Sequence, residues 1–414
     1  MPGALDRIKV VDLSRVLAGP WATQILGDLG AEIVKVEKPG TGDDTRGWGP
    51  PFLTDAAGRQ VSAAYYLMTN RNKKSIAVDL ATPEGQDIVR NLIAQSDVVV
   101  ENYKAGGLKK YGLDYESVRR LHPGIVYCSI TGFGQTGPYA PKPGYDLIAQ
   151  AMGGLMSVTG NPPGTPGDEP MKVGVGVSDL FTGLYAAVGI LAALRHKERT
   201  GEGQHIDVAL LDTTIAMMSN MAQNYLVSGQ VPVRIGNTHI NIVPFGAFAV
   251  ADGHVIVTVG NDAQFRRLCQ VLGAPELADD PRFRTNADRV GHRAEANAAL
   301  KPLFARRRQA ELLAALEAAQ VPVGPIYTVD QVFADPQVRA RGVRRRTDPG
   351  GGIATDIVRN PLVMSGTPID RAAAPPFLGE HTAEVLARAL SLAPDAIADL
   401  ARRGVVGVHR ETAE

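Results

Sequence analysis

The chain has 414 residues, 44% of them hydrophobic and 21% charged, a globular composition too long for one hydrophobic core, so two domains are expected. Its 43 Lys and Arg balance 43 Asp and Glu, which removes the basic surplus a nucleic-acid binder needs and leaves room only for a local basic cleft. Cys128 and Cys269 are the only cysteines, too few and too far apart for a zinc site or a disulfide framework, and a reducing cytoplasm fits them.

The first 130 residues alternate strand and helix patterns. Strand-like runs at 8–13, 32–37, 75–79, 97–101 and 125–130 are separated by helical runs at 20–29, 83–94 and 115–121. Pro20 and Pro83 stand where a first helical turn tolerates proline. A Gly-, Pro- and Asp-rich loop covers 39–51. This rhythm predicts a doubly wound parallel sheet that binds its ligand at the carboxyl ends of the strands. A further strand is expected at 205–210. From about 230 the pattern changes to a hairpin at 248–259 and helices at 262–272 and 308–318. The expected organisation is a large α/β domain over 1–225, a smaller α+β domain over 230–328, and a tail over 330–414 that rejoins the large domain. The N-terminus lacks a signal-peptide core, and no run approaches eighteen uninterrupted apolar residues, so no membrane span is expected. The histidines show no metal-ligand spacing, so no metal is expected.

Asp179 stands where a Gly-rich stretch, Lys172–Ser178, gives way to about fifteen mostly apolar residues. Two readings are open. A carboxylate before a buried helix can cap its free N–H groups. The same place keeps a carboxylate ionised, and small neighbours let a bulky electrophile approach it, as a nucleophile requires.

The first strand–helix connection, Ser14–Pro20, lacks the GxGxxG pattern, which disfavours a nicotinamide or flavin cofactor even though Glu37 ends the second strand where a ribose-binding acid would sit. Lys38, Arg46, Lys104, Lys109 and Lys110 nevertheless follow strand ends, a distribution suited to a phosphate-bearing ligand.

Longer motifs are more specific. Val11–Pro20, Gly27–Pro39, Asn70–Ser75, Val100–Tyr103, Ser129–Pro138, Gly144–Asp146, Gly201–Gln204 and Phe377–His381 together resemble a class III CoA-transferase of the CaiB/BaiF type. The resemblance implies a Rossmann-like large domain built from both chain ends, a smaller α+β domain and an interlocked homodimer. It also implies an aspartate nucleophile at Asp179. Contacts to CoA are implied at Arg15, Val16, Leu17, Ala18, Lys38, Val78, Asn102, Tyr103, Lys110 and Tyr111, with Tyr145 at CoA or the acyl substrate. The substrates it implies are an acyl-CoA and a free carboxylic acid, with no tightly bound cofactor. Related racemases carry His-Asp where this chain has Tyr145-Asp146, and a tyrosine is a poor base at neutral pH, so α-proton exchange is disfavoured. The segment 234–244 lacks the glycine run of formyl-CoA transferases, and Leu17 replaces a glutamine of that branch. Arg234 and His239 are the nearest candidates to grip a second carboxylate, which favours dicarboxylates such as succinate or glutarate. A racemase of the same fold and a non-catalytic acyl-CoA-binding protein stay as alternatives.

Overall fold

The computed structural model describes residues 2–54, 58–348 and 352–409. The chain divides into two compact units. The first contains residues 1–155, 172–226 and 337–414, and the second 156–171 and 227–336.

The first unit is built on six parallel strands: β1 (Lys9–Asp12), β2 (Glu32–Glu37), β3 (Lys73–Val78), β4 (Val98–Glu101), β5 (Val126–Thr131) and β6 (Gln204–Ala209). Their order across the sheet is β3-β2-β1-β4-β5-β6, and Val406–Gly407 runs antiparallel beside β3. Both faces are covered, which is why the central strands are apolar without alternation; Val98, Val99 and Val100 are all fully buried.

On one face lie α1 (Ala18–Asp28) and α5 (Val177–Thr200), packed over Val10, Ile33, Val98, Val100 and Val126. On the other, α2 (Pro83–Ile93), α3 (Tyr115–Leu121) and the helix Thr382–Leu390 cover Val11, Ile76, Val99 and Tyr127. Two shorter helices, α4 (Asp146–Met152) and α6 (Leu210–Met217), flank α5. Local signals explain the boundaries. Thr82 caps α2 through its hydroxyl, which accepts the Gly85 N–H, with Pro83 in the first turn. α5 stops at Gly201, whose φ of 78° suits a residue without Cβ.

α5 is long and apolar enough to cross a membrane by length and composition, yet Ala186, Ile190, Ala193 and Leu194 are buried against the sheet. It is a core helix of this unit. A Cβ at Gly183 would lie 2.7 Å from the Ala18 carbonyl oxygen, so α1 and α5 cross closely only because residue 183 has none.

The second unit holds an antiparallel sheet of Phe245–Val250, Gly253–Thr258 and Val323–Pro325. Helices Asp262–Leu272, Arg293–Ala305 and Gln309–Ala318 close its core around Phe248, Phe265, Leu268 and Phe304. Residues 156–171, expected in the large domain, group with this unit because Gly236 N–H donates to the Gly160 carbonyl at 3.0 Å and Arg234 donates to the carbonyls of Asn161 and Asp168. The stretch that leads from the first unit into the second is mostly helical, since α6 is followed directly by a helix over Ser219–Ser228.

Candidate active site

The strand order reverses between β1 and β4, the place where an open parallel sheet leaves a crevice for ligands. Two turns meet there. Asn102, just past β4, accepts the Arg15 N–H at 2.9 Å and donates to the Arg15 carbonyl at 2.6 Å, so one side chain closes both polar groups of the turn after β1. Arg15 itself reaches Asp44 at 3.0 Å, but both side chains are about half exposed and the pair adds little stability.

Asp179 is the third residue of α5. Gly176 precedes that helix and supplies no side-chain cap. The cap comes from Asp146, at the start of α4: its Oδ1 accepts the Ser178 N–H at 2.8 Å and, at the long distance of 3.4 Å, the Asp179 N–H. Asp146 Oδ2 is held by Gln150 Nε2 at 2.6 Å. Capping is therefore done for Asp179, not by it, and among the described residues no hydrogen bond engages the Asp179 carboxylate. Ser178 is locked inward by the Thr214 hydroxyl at 2.8 Å. A Cβ on Gly176 would meet Leu17 Cδ2 at 2.9 Å, so the start of α5 lies directly against the turn after β1.

Burial, and secondarily the Asp146 carboxylate, pushes the Asp179 pKa up to about 7. The Tyr65 hydroxyl is raised by burial and by the same two carboxylates, Asp179 and Asp146, which places it in their field. Tyr65 also stands edge-on to Trp48, ring centres 5.4 Å apart.

Asp179 lines one cleft with Arg15, Val16, Leu17, Ala18, Asn102, Tyr103 and Tyr145. Structure thus brings together eight of the residues expected at the site. Lys104 and Lys142 line the same cleft and, with Arg15, give it the cations a polyphosphate needs. The first turn of α1, preceded by Leu17 with no side-chain cap, faces this cleft through Ala18 and adds a helix N-terminus suited to an anion. Among the described residues no three His, Cys, Asp or Glu side chains gather to hold a metal ion.

Four expected contacts lie outside this lining. Lys38 and Lys110 are exposed, the latter over the Tyr111 ring. Tyr111 packs against the core, and Val78 is buried in it. Arg46 is not a ligand-facing cation: it is spent on Glu37, with contacts of 2.8 and 2.7 Å. Glu37 in turn accepts the Ser75 hydroxyl at 2.6 Å, which leaves it no role at a ribose.

Arg234 and His239 lie in the second unit. The Arg234 guanidinium donates to backbone carbonyls of Asn161 and Asp168. His239 Nδ1 accepts the Asn241 N–H at 3.0 Å, and its ring packs 5.1 Å from Phe245. Both have structural work to do, because a loop without regular hydrogen bonding must satisfy its peptide groups through side chains. Sequence reasoning passed over Trp48, Tyr65 and Lys142. Trp48 sits in a Gly- and Pro-rich loop with no periodicity to reveal which way it points.

The sequence profile of CoA-transferase family III matches residues 5–382. Succinate–glutarate CoA-transferase of Agrobacterium fabrum is 53% identical over 383 residues, covering 92% of this chain and 95% of that protein. Human succinyl-CoA:glutarate CoA-transferase is 44% identical over 407 residues, covering 98% of this chain and 90% of that protein. A crystal structure of a CaiB/BaiF family protein from Brucella suis superposes with a TM-score of 0.83 at 48% identity, over 94% of this chain and all of that one.

Proposed function

The chain belongs to CoA-transferase family III, and on that premise we propose that it moves CoA from succinyl-CoA to a dicarboxylate of the glutarate class through a covalent intermediate on Asp179. The observation that carries this reading is the Asp179 carboxylate, unengaged by any hydrogen bond among the described residues, in a cleft shared with Arg15, Asn102, Tyr103 and Lys142. Names of relatives supply the substrate pair: succinate and glutarate for the Agrobacterium and human proteins, and mesaconate with succinyl-CoA for a 39% identical protein of Haloarcula hispanica.

The Asp179 carboxylate attacks the thioester carbonyl. CoA leaves as its thiolate and a mixed anhydride forms. The thiolate, kept near by its nucleotide end, attacks the aspartyl carbonyl, breaks the anhydride C–O bond and releases the donor carboxylate. An aspartyl-CoA thioester is left, and the acceptor carboxylate runs the two steps in reverse. Holding CoA through a remote part converts the second attack into an intramolecular one. The electron pairs balance at each step without oxidant or metal. Among the described residues the cleft lining holds no histidine, which supports transfer over α-proton exchange. No tightly bound cofactor, a cytoplasmic location without membrane attachment and an interlocked homodimer complete the proposal, the last resting on resemblance and on the exposed apolar residues Leu226, Val227, Val231 and Val233.

Intact mass spectrometry after incubation with succinyl-CoA, with and without borohydride, tests it. A CoA adduct at Asp179 that borohydride converts to the alcohol is expected. A protein that turns over succinyl-CoA and glutarate while Asp179 stays unmodified, and while Asp179→Asn keeps full activity, would overturn it.

A further inference from the structure

Val16 has φ of 73°, a left-handed conformation that is costly for a β-branched residue and is kept only where the surroundings impose it. Two contacts impose it. The Arg15 peptide just before it is held on both polar groups by Asn102. The Val16 N–H itself points between the oxygens of Asp43, at 3.2 and 3.3 Å. Asp43 is buried, and its Oδ2 takes the equally buried Lys35 ammonium at 2.9 Å. Its Oδ1 takes the Thr45 N–H at 3.0 Å and hydroxyl at 2.7 Å. Lys35 also donates to the Ser14 carbonyl at 2.8 Å, so the ion pair grips the same turn from both ends. The next residue, Leu17, is the one that packs against Gly176 at the start of the Asp179 helix.

We propose that Asp43, paired with Lys35 beneath the cleft floor, is a positioning residue that locks Val16 in its left-handed conformation and thereby fixes the acyl-CoA-binding turn relative to Asp179. Neither Asp43 nor Lys35 lines the cleft. Both act through Val16, and the inference rests on the reading of this cleft as the acyl-CoA site. An amide cannot replace Asp43. Its single acceptor oxygen serves either Lys35 or the Thr45 and Val16 N–H groups, and its NH2 then opposes a donor. Glycine at position 16 adopts the left-handed conformation without penalty, so the lock should matter far less when residue 16 is glycine.

The test is a double-mutant cycle on the full chain, reading CoA affinity by calorimetry together with KM and kcat for succinyl-CoA. Asp43→Asn is expected to weaken CoA binding and raise KM by about tenfold or more in the Val16 background, but by less than about threefold in a Val16→Gly background. An equal factor in both backgrounds, or no loss in the Val16 background, overturns the inference. Should Asp43→Asn not yield folded protein, Thr45→Val poses the same question, since it removes a hydroxyl that holds the Asp43 carboxylate and does not line the cleft. Its loss must likewise shrink when residue 16 is glycine, and an unchanged loss overturns the proposal. Titration of the unaltered protein with CoA separates the two levels. Normal binding with equal factors removes only the lock, whereas no binding to the unaltered protein removes the cleft reading and the lock with it.

Discussion

Asp146 accepts the backbone N–H of Ser178 at 2.8 Å and so caps the helix from whose first turn Asp179 projects. One acid holds the frame that presents another. The arrangement sets two influences against each other: a helix N-terminus favours the charged carboxylate, while burial and the facing Asp146 charge disfavour it and prevail, leaving Asp179 at about 7. A carboxylate with that pKa is a stronger nucleophile than one near 4 and pays by being partly protonated at neutral pH.

Activity should therefore fall as pH drops through about 7, approaching a tenfold loss in kcat/KM for acyl-CoA per unit below it. Asp146→Asn keeps an oxygen for the Ser178 N–H and removes the like charge. Its acidic limb should shift to lower pH, which paired pH profiles of kcat/KM will read.

Asp179→Asn should lose at least about 10³-fold in activity and gain stability at alkaline pH. The folded pKa lies above the ordinary value of 3.8, so the stability this group lends is complete below about pH 4 and lost as pH rises through 7. The amide escapes that loss. Melting temperatures at pH 8 should favour the variant, and the difference should narrow at pH 5.5.

Glu101 ends β4, and its Oε2 accepts the Tyr103 N–H at 2.8 Å in the turn that lines the cleft. Burial raises its pKa to about 7. Protonation weakens that acceptor, so KM for acyl-CoA should rise about two- to tenfold as pH falls from 8 to 6. Glu101→Gln should show a raised KM that no longer varies over this range.

Arg234→Met should destabilise the second unit by about 0.5–1.5 kcal/mol, the net loss of hydrogen bonds to the partly exposed carbonyls of Asn161 and Asp168, which water can replace. KM for glutarate should stay within about twofold. Limited proteolysis across 156–171 and steady-state kinetics separate this outcome from a substrate-gripping role, which would raise the glutarate KM and spare the loop.

Much of the large unit could be read from residues alone because parallel strands buried on both faces write themselves as apolar runs. β2 was expected at 32–37 and α3 at 115–121, and both are found there. An acid in a first helical turn is common, so Asp179 is distinguished by the glycine-rich stretch before it, which leaves its carboxylate approachable. Reading failed where partners are distant in sequence. Arg46 reads as a ligand-facing cation, yet Glu37 holds it; nothing near Asp43 in sequence shows its bond to Val16, and Asp146 caps a helix that starts thirty-one residues later. Hydrogen bonds of that reach leave no periodic trace.

The antiparallel pairing of Val406–Gly407 with β3 bears on how the chain is made. A ribosome has to reach position 406 before the edge beyond β3 is covered, whereas the last residue of the second unit is joined at position 336. The inserted unit can mature while its host still waits with an open flank. Nascent chains stalled shortly before Val406 should then carry a protease-resistant insert within a susceptible frame, exposing a sheet border to chaperones or to neighbouring chains on the same polysome.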